Sequence, residues 1–299
     1  MPSGHCDSAL AHVKGWTTLK QTNKRSSPAR ILLPGMTVKR VIATGESQAG
    51  RRLTQYYNSI DPLHRLVDGM VFYDPGYNTW HLLRGDNPTK LISVGSEVHS
   101  DGRQPVADGI TTRRWEVAGT SHLSSWDMAY VDAMTNRDMG LVKADGSAAS
   151  TIEEIIPGCT YYPLWSSVPM HKVLNAAFEH VNDWTISGAA APPGKPLDRD
   201  TDGAALRHTN DGRTFGGIQL AEYVLPTEFN LGVYNPGPGF CRNGGHHRPY
   251  TQAELASMYP DATAYLRGVM ETTAANLAAG YILGYDAAET IDAALAKFP

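Results

Sequence analysis

The chain has 299 residues, 41% of them hydrophobic, with a mean hydropathy of −0.32 and a formal net charge of −4. That length accommodates one large domain or two ordinary ones, and the balance excludes disordered, collagenous and integral-membrane classes, because no apolar run approaches the ~20 residues a membrane helix needs. Slight acidity supplies no basic field for gripping phosphates, so the expected partner is a small molecule, with neither nucleic acid nor membrane.

Residues 1–5 show no basic region followed by an apolar core, so no signal peptide is visible. Four short segments read as strands: residues 38–44, 67–73, 90–94 and 113–117, each rich in β-branched or aromatic side chains. Gaps of roughly 20 residues suit the crossovers of a parallel sheet. Leu53, Tyr56, Tyr57 and Ile60 recur at helical intervals in the first gap until Asp61-Pro62 stops them. Beyond residue 150 the pattern turns helical. Residues 171–184 place Leu174, Ala177, Phe178, Val181 and Trp184 on one face, and Leu266, Val269, Met270, Leu277 and Tyr281 repeat the pattern later. A last helix is expected to open with Asp286 as cap and Glu289 three residues on. The expected organisation is an α/β core in residues 1–150, with a helical, loop-rich portion in residues 151–299 packing on the same core.

The sharpest chemical signal is Gly45-Glu46-Ser47-Gln48-Ala49-Gly50, between the first strand and the first helix. A serine on a strand-to-helix turn needs small neighbours at minus two and plus two, which Gly45 and Ala49 supply. Such a turn exposes the hydroxyl, while the Gln48 amide and the first helical turn point toward any oxyanion formed there. A serine nucleophile needs a base, and the base a carboxylate. Glu97, His99 and Asp101 follow the third strand and His122 follows the fourth. Ser47, Glu97 and His122 then give the order nucleophile, acid, base along the carboxyl edge of a parallel sheet, with Asp101 the competing acid and His99 expected at the surface.

The segments 33–53 and 57–63, then 114–122, 172–184 and 216–218, resemble the alpha/beta hydrolase domain-containing proteins of bacteria and fungi, over most of the chain from about residue 30 onward. The resemblance implies an α/β-hydrolase fold and a serine-hydrolase site for carboxylic esters, with no cofactor and no metal. Ser47 matches the family nucleophile and His122 the family histidine. Glu97 matches the family glutamate, but His99 stands where a second acid is expected. The resemblance also leans toward a secreted or periplasmic protein.

In this fold about four strands normally precede the nucleophile strand, and one of their loops donates a second oxyanion amide. Only 46 residues precede Ser47, and the stretch 9–33 offers at most one helix and a basic loop. The sheet is therefore expected to hold only the equivalents of strands five to eight. Its first strand would be an open edge able to pair with a second copy. The alternative to a carboxylesterase is accordingly a weak or inactive hydrolase remnant with a binding or assembly role.

Weaker signals have plain readings. Asp198 to Gly203 has the outline of a calcium loop but lacks the closing glutamate, so it reads as a polar turn. His246 and His247 lack a third ligand at helical spacing. Tyr161, Tyr162 and Trp165, with Trp126 and Tyr130, either wall a pocket or pack in the core. Cys6, Cys159 and Cys241 allow one bridge, for which the loop-borne Cys159 and Cys241 are candidates.

Overall fold

A computed structural model describes residues 38–76, 83–101, 107–202, 205–233 and 235–297. In chain order the elements are β1 (Ile42–Glu46), α1 (Ser47–Ser59), α2 (Asp61–His64), β2 (Gly69–Tyr73), β3 (Lys90–Gly95), α3 (Glu97–Ser100), β4 (Thr112–Glu116) and α4 (Ser125–Asp138). Then come β5 (Leu141–Val142), β6 (Ala148–Ala149), α5 (Met170–Ser187), α6 (Ala221–Val224), β7 (Glu228–Leu231), α7 (Cys241–Gly244), β8 (His246–Pro249), α8 (Gln252–Met258), α9 (Ala262–Ala278) and α10 (Gly284–Lys297).

Strands β1 to β4 form one parallel sheet in sequence order, which makes this an α/β fold. β2 is buried along its whole length, as a parallel strand covered on both faces must be. Side-chain alternation divides its residues. Val71 and Tyr73 join Ile92, Val94 and Trp115 in a core with Val173, Ala177, Val181 and Trp184 of α5, whereas Met70 and Phe72 face Tyr57 of α1 on the other side. Helices α1 and α5 therefore cover opposite faces of the sheet.

The chain returns along β4 after α5. Backbone bridges join Trp115 to Lys195 and Val117 to Ile218, closing that edge of the sheet. Glu116, fully buried, fixes this strap: it pairs with Arg114 at 2.6 Å and Arg199 at 2.9 Å and accepts the Leu197 amide at 2.8 Å. Among the described residues nothing pairs with the outer edge of β1. The stretch 9–33 and Cys6 lie outside the described residues.

Several expected boundaries and faces shift. β1 starts four residues later than residue 38 and runs into Gly45 and Glu46, so the strand ends at the serine itself. On α5, Phe178 is 37% exposed and the buried face instead includes Met170, Val173 and Ala176. On α9, Met270 and Leu277 are exposed, and Tyr265, Val269, Thr273 and Asn276 turn inward. Asn276 is buried with its side-chain amide donating to the Gln219 carbonyl at 2.8 Å. α10 begins two residues before Asp286, which lies in its first turn, accepting from the Leu283 amide at 3.3 Å and from Asn175 at 2.9 Å.

Candidate active site

Ser47 sits at the junction of β1 and α1 with φ of +51°, a left-handed conformation that an L-residue other than glycine holds only when its surroundings impose it. Two glycines make the turn feasible. A Cβ on Gly45 would lie 2.7 Å from the Ala49 carbonyl carbon, and one on Gly50 would lie 2.8 Å from both the Gly45 oxygen and the Pro75 Cβ. The tight position after the serine is thus Gly50, while Ala49, expected to serve there, is exposed.

Register supplies the neighbour. Glu46 pairs with Tyr73, so Ser47 and Asp74 follow their strands at the same level on the carboxyl edge. Asp74 is fully buried and also left-handed, with φ of +44°. Its Oδ1 accepts the Ser96 amide at 2.9 Å, and its Oδ2 accepts the Ser96 hydroxyl at 2.6 Å. Two imidazoles converge on the same Oδ2: Nδ1 of His122 at 2.9 Å and Nδ1 of His99 at 3.1 Å. Burial alone would raise the Asp74 pKa, but the His99 charge and the contacts with both rings outweigh it and hold the carboxyl well below its ordinary value.

The carboxylate on His122 is therefore Asp74 and not Glu97. Glu97, 2% exposed, turns its Oε1 to the Gly119 amide at 2.5 Å, and its own amide donates to the Thr120 carbonyl at 3.1 Å. It braces the loop that carries His122 without reaching the ring. Asp101 caps the Leu206 amide at 3.0 Å and is likewise not on the histidine. His99, expected at the surface, has a side chain only 7% exposed. His122 itself is buried, and its amide donates to the Asn243 carbonyl at 3.3 Å.

Burial pushes the Glu97 carboxyl up to about 7. The folded state then binds this proton more tightly than the unfolded chain, so stability is full below about pH 4.5 and falls as pH rises through 7, by about 3 kcal/mol once the group ionises. Glu97→Gln should flatten that slope, read as urea midpoints between about pH 5 and 8. Identical slopes in the two proteins would refute it.

Gln48 lies in the first turn of α1, where amides have no acceptor within the helix. Glu46, beside the serine, is pushed up to about 7 by burial first and then by the charges of Asp127 and Asp74. Asp127 belongs to the capping box of α4 and accepts the Tyr73 hydroxyl at 3.3 Å.

Ligand atoms of Asp74, His99 and His122 lie within 4.8 Å of one another, close enough for one cation. The Asp74 oxygens also accept from the Ser96 amide and hydroxyl and lie against the two rings. His246 and His247 place Nδ1 on the Pro163 and Trp165 carbonyls at 2.9 and 2.7 Å and do not converge on one point. The turn at Asp198 is held by backbone: Asp198 donates to Phe215 at 2.8 Å and Asp200 to Ala205 at 2.9 Å. Trp165 packs in the core, whereas Tyr161, Tyr162, Trp126 and Tyr130 are exposed. Cys159 and Cys241 are bonded to each other.

Sequence reasoning passed over Asp74, because Asp74-Pro75-Gly76 reads as a turn. The available signal was positional: a carboxylate one residue past a buried strand, adjacent to the strand that leads into Ser47 and level with that serine.

A strained serine between strand and helix, level with a buried carboxylate that holds an imidazole, on the carboxyl edge of a parallel sheet, defines an α/β hydrolase. A family model described as alpha/beta hydrolase domain matches residues 15–292, and the chain belongs to that family. No curated protein and no solved structure matches the chain.

Proposed function

We propose that the protein is a serine hydrolase of carboxylic esters working through an acyl-enzyme. The observation that carries this reading is the left-handed Ser47 in register with Asp74, whose Oδ2 lies 2.9 Å from His122 Nδ1. With Nδ1 held by Asp74, His122 has Nε2 available as base. It takes the Ser47 proton as Oγ attacks the ester carbonyl, and returns it to the leaving alkoxide. Water repeats the sequence to release the acid and regenerate the serine. Asp74 fixes the tautomer and stabilises the imidazolium, and the Gln48 amide donates to the oxyanion. An activated serine attacks the phosphorus of a fluorophosphonate, expels fluoride and is left as a stable phosphonyl ester resembling the tetrahedral intermediate, so such a probe tests the nucleophile. Labelling of the wild type that vanishes in Ser47→Ala is expected. Equal labelling of both would overturn the assignment, and no labelling of either would favour the inactive remnant.

A further inference from the structure

Ordinary triad chemistry uses one imidazole on the acid, and this site holds two. His99 reaches Asp74 from α3, one strand farther along the edge, and His122 reaches it from beyond β4. The two rings lie 4.5 Å apart between centroids, tilted by 54°, with side chains 7% and 3% exposed. One fully buried oxygen thus lies against both rings, hydrogen-bonded to His122 and within ion-pair distance of His99.

We infer that His99 is a positioning residue for the hydrolytic site: its ring lies against Asp74, and its charge state decides whether His122 is able to accept the serine proton. This rests on the proposed Ser47–His122–Asp74 reading and deepens it. Two cationic rings 4.5 Å apart in a buried site repel, so the pair takes a first proton readily and a second with difficulty. His122 must become imidazolium as Ser47 attacks. A proton already on His99 opposes that step, while a neutral His99 leaves Asp74 free to stabilise the charge on His122.

The groups facing His99 are Asp74 past β2, Glu46 at the end of β1, Arg51 in α1 and His122 past β4. Burial lowers the affinity of His99 for a proton, but the charge and contact of Asp74 more than offset it, Arg51 opposing, so its pKa stands above the ordinary value. The acid limb of kcat/KM in the wild type should therefore be set by the first proton the pair takes up, and lie higher than that of a variant with no ionisable ring at position 99.

Three variants test this. His99→Asn keeps a short N–H donor that cannot be charged, and should retain most of the plateau kcat while its acid limb moves down by on the order of one pH unit. His99→Ala leaves Asp74 without that contact and should lower plateau kcat about 10- to 100-fold with KM little changed, the asparagine recovering most of the loss. His122→Asn should lose fluorophosphonate labelling. An acid limb unchanged in both His99 variants would overturn the inference, as would labelling that survives in His122→Asn and disappears in His99→Asn. A second readout does not need turnover: nitrogen-15 histidine spectra should show the two rings titrating as a coupled pair in the wild type and His122 titrating alone in His99→Asn. A His122 titration identical in the two proteins would also overturn it. Because these spectra are read whether or not Ser47 labels, failure of the esterase reading and failure of this one are told apart, and melting temperatures show whether each variant is folded.

Discussion

Ser47→Ala should lower kcat toward a short p-nitrophenyl ester about a million-fold, and Asp74→Asn about ten thousand-fold, with Glu97→Gln costing far less than either. The sizes differ because the residues do different things. In the proposed mechanism, loss of Ser47 abolishes the acyl-enzyme and leaves only binding and any oxyanion stabilisation. Without the Asp74 charge the nucleophile and base survive, but His122 loses the acceptor at 2.9 Å that sets its tautomer and stabilises the developing imidazolium. Glu97 touches neither ring: its carboxylate supports the Gly119 amide, three residues before His122. The comparison also decides between the two carboxylates. Equal losses in Asp74→Asn and Glu97→Gln, with both variants folded, would mean that the loop brace matters as much as the contact on the ring. A loss confined to Glu97→Gln would return the acid role to it. Mixed double variants add a check, because members of one catalytic unit are non-additive: Ser47→Ala with Asp74→Asn should be little worse than Ser47→Ala alone.

What the sequence made legible is what local geometry dictates. A parallel strand buried on both faces has to be a short apolar run, so β2 and β3 stand out as residues 67–73 and 90–94. A serine forced to φ of +51° needs small residues around it, so the elbow is visible from Gly45 before Ser47, although the second tight position is Gly50 and not the expected Ala49. The acid was not legible in the same way. Order along the chain admits any carboxylate at a strand end, and both Glu97 and Asp74 qualify; what selects Asp74 is that Glu97 turns to the Gly119 amide while Ser96 aims Asp74 at the rings. His99 was hidden for a related reason. A histidine just past a strand is most often solvated, and only the neighbouring strand brings a buried charge to it. Helix faces failed where polar groups are buried with partners: Asn276 on α9 is paid for by the Gln219 carbonyl, which rotates Met270 to the outside.

The Cys159–Cys241 bridge should carry the largest stability effect. It closes a span of 82 residues, and the chain-entropy estimate for such a loop is about 4–5 kcal/mol. Replacing both cysteines with alanine should therefore lower the melting temperature by on the order of 10 °C. The bridge also touches the site. Cys241 packs with Met128, Leu164 and Trp165 and opens α7, whose Asn243 carbonyl receives the His122 amide at 3.3 Å. Phe240, the residue before it, has its ring 6.2 Å from the His122 ring and 6.0 Å from that of Trp165. Freeing this segment loosens one support of the histidine loop, which is also held by Glu97 at Gly119 and by the Ser166 amide on the Ser121 hydroxyl at 2.8 Å. Activity should accordingly begin to fall at a temperature below the melting midpoint of the variant, whereas in the bridged protein the two should coincide. Dithiothreitol should bring the wild type toward the variant only slowly, because Cys241 is fully buried and Cys159 is 8% exposed, and reduction then waits on opening of the segment. A double-alanine variant that melts with the wild type would show that packing around Met128, Leu164 and Trp165 holds the segment without the bond. A variant that melts lower yet loses activity only as it unfolds would separate the stabilising bond from the positioning of His122.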